Sequence, residues 1–330
     1  VQSVSRPLPP AAQFILTKPV PCGLLMLFMF SAQLWLPQLF SSLPVLVLFI
    51  VMLAMALNFF TPALAGLVAI GGGAVFAAQA GGLAALLVSF IPGVNIGLAL
   101  VFAFLYVLIP AIAARALLSS GGMTRSSDVL IIGATLATIV TLVAINQTQD
   151  MSAHAWVNHL LQPLFGVMSE RPDALPSDAL QSIQTLLGWV LPGMLALSLW
   201  FMWGINLVFA RKVATYYGFY TGDPRAVLHF QPAIWSGGLL FISLLAANFA
   251  GGDVQYMGVT VALFISGVLA FNGVSVVHLW LRSRALAALI VLMYFMLMFW
   301  SMMILPFIML GMLDLWFNYR NKISDPADAA

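Results

Sequence analysis

Apolar residues run along this chain in blocks long enough to cross a bilayer, and polar residues fall mainly between the blocks. About 18–20 consecutive apolar residues make a transmembrane helix. Lipid offers the backbone no hydrogen-bond partners, so such blocks must be helical. They do not alternate with period two, which argues against an outer-membrane barrel. Apolar run length, punctuated by Pro, Gly and charge, predicts helices over about 20–38, 43–60, 62–92, 94–117, 129–146, 185–210, 233–249 and 257–281, then a last block ending at Lys322. The expected fold is all-α, a polytopic transmembrane bundle of about nine helices in a range of eight to ten. It forms a single domain over 20–322, with a flexible tail at 1–19 and a disordered tail at 323–330.

Two blocks admit more than one reading. The stretch 62–92 is interrupted by Gly71-Gly72-Gly73 and by Gly81-Gly82. Each glycine costs roughly 1 kcal/mol against alanine in a helix, so a break near Gly73 is expected. The stretch is either two short helices or one loosely wound span. Broken helices line transporter sites, and small residues also let helices pack closely. The last block contains Pro306. Ala285–Ile304 and Pro306–Tyr319 are either two limbs of a hairpin or one final helix. The hairpin keeps Arg320 and Lys322 on the side of the other basic residues.

Arg115, Arg125, Arg211, Lys212, Arg225, Arg282 and Arg284 lie in three loops, separated by even numbers of crossings. The positive-inside rule makes that side cytoplasmic. The polar loop 147–184 is then outside. Within it, Ala153–Met168 predicts an interfacial helix, with Trp156, Leu160, Leu161 and Phe165 at helical spacing. Lys212–Pro232 is an aromatic loop suited to head groups, through Tyr216, Tyr217, Phe219 and Tyr220.

Composition sharpens this picture. Hydrophobic residues are 62% of the chain and charged residues 7%, against about 25% charged in a soluble domain. The net charge of +2 carries little information, because few charges exist, and no basic patch suggests a nucleic-acid partner. Cys22 is the sole cysteine, so neither a disulfide framework nor a thiolate metal site is available. His154 and His159 are five apart and do not match the i, i+4 metal pair. No HExxH, Walker or GxSxG motif occurs. The chain is expected to be no enzyme and to hold no cofactor or metal. The methionines of Met293–Met312 read as adaptable packing.

Most polar residues inside apolar runs fall in the last block. Asn272, Ser275 and His278 follow a three-residue spacing and share a helix stripe. Folding back at Arg282–Arg284 brings Tyr294 close to Ser275. Asp314 is the only acid within an apolar block. Asn272, Ser275, His278, Tyr294 and Asp314 are therefore the candidate ligand-binding residues. The competing expectation is a cluster of interhelical hydrogen bonds. Asp314 and Asn318 are four apart on one face. Arg320 falls on the opposite face of a continued helix, so no in-helix pair with Asp314 is expected. Asp314, Asn318 and Arg320 would then anchor in head groups beside Trp316 and Tyr319.

The run FNGVSVVHLWLRSRALAALIVLMYFMLMF followed by LGMLDLWFNYRNK resembles the end of the uncharacterised YybS-like bacterial membrane proteins. The matching positions are Gly273, His278, Tyr294, Gly311, Asp314 and Arg320. Asn272 stands where that family suggests glutamine, and Gly71-Gly72-Gly73 where it suggests basic residues. The resemblance implies a bacterial cytoplasmic membrane protein. It also implies a distant similarity to the S-components of energy-coupling-factor transporters, which bind a small molecule and rely on an ATPase module. The expected function is a small-molecule-binding or transport subunit in contact with the lipid bilayer and other membrane subunits. The alternative is a structural or assembly subunit of a membrane complex.

Overall fold

The computed structural model describes residues 7–40, 44–91, 94–119, 122–170, 176–220, 222 and 231–323. Arg171, Asp173, Arg225 and the tail from 324 onward lie outside them. The chain folds into helices with no strand among the described residues. In order these are α1 (Pro10–Thr17), α2 (Pro19–Leu39), α3 (Pro44–Gly71), α4 (Gly73–Val88), α5 (Ile96–Leu117), α6 (Gly122–Thr148), α7 (Ala153–Ser169), α8 (Ser177–Tyr216), α9 (Trp235–Phe249), α10 (Gly252–Ser283), α11 (Ala287–Phe299) and α12 (Ile304–Phe317). Among the described residues six are long and apolar enough to cross a membrane, and α11 with α12 makes up to seven. That is fewer than the nine spans expected, because α4 and α9, though apolar, are shorter than a span.

Several boundaries differ from the pattern in the sequence. Pro10–Thr17, expected within a flexible tail, is helical. The boundary expected near residue 61 is absent, because α3 runs unbroken through Pro62. Pro62 cannot donate to the Asn58 carbonyl, and side chains bond the carbonyls on either side of it. Asn206 Nδ2 donates to the Phe59 carbonyl at 2.8 Å, and Thr61 Oγ1 to the Leu57 carbonyl at 3.1 Å. The break expected near Gly73 is present: Gly73 takes φ +86°, a left-handed turn that suits glycine. In the last block the break falls at 300–303 rather than at Pro306, and the two helix axes differ by 118°. Pro306 sits in the first turn of α12, where its missing N–H costs nothing.

The chain divides into two compact units, Val1–Leu130 with Phe201–Val227, and Ile131–Trp200 with Leu228–Ala330. In the first, α2 packs on α3 and α4, and α3 on the end of α5. The middle of α5, Phe102–Leu108, is π-helical. Such wider turns often mark functional positions.

In the second unit α10 is the hub. Two-thirds (67%) of its apolar window is buried, against 28–39% for the other long helices. It packs chiefly on α12 and α9. Helix α7 sits over the start of α10: Ala153 and Val157 join Leu142 and Tyr256 in a buried cluster, with Trp156, Leu161 and Trp189 packed against it. Phe165 is also buried, whereas Leu160, expected on the same face, is 55% exposed.

Candidate functional site

The polar residues of the last block form a closed cluster on α10 and α12. Asn272 and Asp314 are wholly buried, and Arg320 is nearly so. Arg320 Nε donates to Asp314 Oδ2 at 2.9 Å. Its Nη2 donates to Asn272 Oδ1, and its backbone N–H to Asp314 Oδ1 at 3.3 Å. Asn272 Nδ2 donates to the Gly311 carbonyl at 2.9 Å and to Asp314 Oδ2 at 3.4 Å. Gln231, which the sequence pattern did not single out, donates to the Asp314 carbonyl at 3.1 Å and to Oδ2 at 3.4 Å.

This overturns the expected separation of Asp314 and Arg320. The reason is local. Helix α12 stops at Phe317, and Asn318 adopts a left-handed conformation, φ 49° and ψ 52°. Asparagine tolerates that conformation and commonly ends helices in it. The chain turns back, Tyr319–Lys322 forms a short 3₁₀ turn, and the guanidinium of Arg320 swings onto Asp314. Asp314 and Arg320 are therefore packed inside the protein and are not head-group anchors.

The cluster exists because two backbones nearly touch. A Cβ on Gly273 would overlap the Phe307 carbonyl and lie 3.0 Å from the Gly311 nitrogen. A Cβ on Gly311 would overlap the Leu269 carbonyl. Small residues permit this approach, and it puts Asn272 within reach of the Gly311 carbonyl.

The remaining candidates sit apart from the cluster. Ser275 is buried, and its hydroxyl donates to the Phe271 carbonyl in its own helix at 2.9 Å. Tyr294 meets His278, not Ser275, with its hydroxyl 3.1 Å from Nδ1. Tyr294 is 45% exposed. The five predicted residues thus form one closed cluster, one surface pair and one lone serine.

The first unit has polar contacts of its own that the sequence pattern missed. Asn58 Nδ2 donates to the Phe30 carbonyl at 3.1 Å, and Asn58 Oδ1 accepts from the Tyr106 hydroxyl at 3.0 Å. Trp203 Nε1 donates to the Leu105 carbonyl within the π-helical stretch at 2.8 Å. The available signal was a lone asparagine in each of two apolar runs, LAMALNFFTPAL and WFMWGINLVFA.

A groove of about 620 Å³ opens between α4 and α5. That falls within the roughly 300–1,000 Å³ of small-molecule sites. One wall is the small face of α4: Ala74, Ala78, Gly81 and Gly82. The other is two neighbouring rows of α5, Leu100–Phe104–Leu108–Ile112 and Ala103–Val107–Ala111–Arg115. Arg115, one turn beyond Ala111, is the only charged residue among the described lining residues.

His154 on α7 stacks against Trp189 and Tyr256, with ring centroids 4.6 and 5.2 Å away. Its Nε2 lies 3.1 Å from Asn158 Nδ2, a donor that favours the neutral ring. Burial holds the imidazole below its ordinary value. The unfolded chain takes up that proton near pH 6.5, while the folded chain resists it. Stability is therefore present above about pH 6.5 and is lost as pH falls through the folded value. A His154→Gln variant is expected to flatten this part of the profile. Thermal melts of both proteins between pH 5 and 8 check it.

No curated protein and no solved structure matches the chain. A family model described as "Predicted membrane protein (DUF2232)" matches residues 38–315. The match takes in α3 to α11, the groove and most of α12, and leaves out α1, Arg320 and almost all of α2. By its span-length apolar helices and this match, the chain belongs to the DUF2232 family of predicted membrane proteins.

Proposed function

We propose that this chain is a non-catalytic membrane subunit that binds a small apolar or amphipathic molecule, with the groove between α4 and α5 as its site. The observation that carries the reading is the groove itself, walled by apolar side chains with one arginine at its end. The polar residues of the last block support a different role. Asn272, Asp314 and Arg320 are bonded to one another, to the Gly311 carbonyl and to Gln231. They brace α12 on α10, as a structural subunit requires. The sequence holds no Walker loop, so an ATPase partner would drive any movement of the bound molecule, as in the S-component-like reading.

Gly82 provides the test. Gly82 lines the groove, and a Cβ there meets no atom within 4 Å, so an added side chain has room to start into the groove. The full chain is extracted in mild detergent and its co-purifying molecules are identified by mass spectrometry. One stoichiometric apolar or amphipathic molecule is expected with the natural chain and not with Gly82→Phe. Equal retention by both proteins would remove the groove as the site.

A further inference from the structure

Resting on the groove-binding reading, we propose that the occupant is one acyl chain of an anionic membrane phospholipid, with its phosphate on Arg115. Three features on one face of α5 point there. The groove follows α5 from Leu100 to Arg115, about 20 Å at 1.5 Å per residue. That is close to the depth of one leaflet with its head groups, half of about 40–45 Å. The lining is apolar along this length, which suits a hydrocarbon chain and gives a polar ligand no partner.

The charge lies at one end. Arg115 is in the last turn of α5, exposed, with no acidic partner among the described residues. A guanidinium matches a phosphate diester through two parallel N–H donors. The arginine-rich loops place this end on the cytoplasmic side, where basic pockets between helices hold anionic head groups. The groove is open along its side, so a lipid enters laterally and keeps its second chain in the bilayer. A free fatty acid would leave this lateral opening unused.

The test uses the full chain in nanodiscs of equal phosphatidylglycerol and phosphatidylcholine, with a trace of fatty acid. Bound lipid is read by native mass spectrometry after gentle extraction, for the natural chain, Arg115→Gln and Gly82→Leu. The natural chain is expected to retain one phosphatidylglycerol with about a fivefold preference, the value of one basic group at the membrane surface. Arg115→Gln keeps a bound lipid but loses the preference. Gly82→Leu melts like the natural chain and loses the lipid. Retention in proportion to the bilayer, a preference that survives Arg115→Gln, or retention of fatty acid instead overturns this proposal and leaves the groove reading standing. Equal retention by the natural chain and Gly82→Leu overturns both.

Discussion

Replacing Arg320 with methionine is expected to destabilise the second unit by about 3–5 kcal/mol, the usual cost of stranding one partner of a buried ion pair. The stranded group is Asp314, which is wholly buried and loses its Nε–H donor at 2.9 Å. Gln231 and Asn272 still donate to Asp314 and soften the loss. Removing both charges, as Arg320→Met with Asp314→Leu, is expected to recover much of the stability, because an apolar pair strands no charge. Denaturant titration in micelles, followed by tryptophan fluorescence, reads all three proteins. A double variant no more stable than Arg320→Met alone would show that the pair is not coupled.

The second large effect is expected at the crossing of α10 and α12. Gly311→Leu puts a Cβ into the Leu269 carbonyl, and a carbonyl of the helix backbone cannot turn aside. The helices must separate. Overpacking of this kind costs about 1–3 kcal/mol, and separation also pulls Asn272 away from the Gly311 carbonyl it bonds at 2.9 Å. Gly273→Leu meets the Phe307 carbonyl and is expected to behave alike. Gly238→Ala on α9 is the control, since its Cβ has no neighbour within 4 Å. It is expected to be neutral or to add up to about 1 kcal/mol through helix propensity. Protease cleavage after Arg320 reports release of α12.

The long apolar helices were legible in the sequence from run length, although α9 also read as a span and is shorter than one. Their ends were less so. Pro62 reads as a boundary, yet an asparagine on α8, far away in sequence, supports the backbone beside it. The bend after α11 was expected at Pro306 because proline breaks helix interiors, but proline also suits a first turn. The Asp314–Arg320 pair was hidden by the assumption of a continuous helix. One left-handed residue, Asn318, moves Arg320 from the far face to the near one. Gln231 was invisible for another reason: it lies in a loop whose approach to α12 depends on tertiary packing alone. The groove could not be read from the Gly-rich pattern, which fits close packing equally well. What separates the two cases is that Gly82 has open space beside it.

A phospholipid with a photoactivatable group in its acyl chain, crosslinked to the full chain in a bilayer, tests the account most directly. Peptide mapping is expected to place the adducts on α4 and α5, at residues such as Ala78 and Phe104, and to lose them with Gly82→Phe. Adducts spread evenly over every lipid-facing helix, or gathered around His278 and Tyr294, would contradict it.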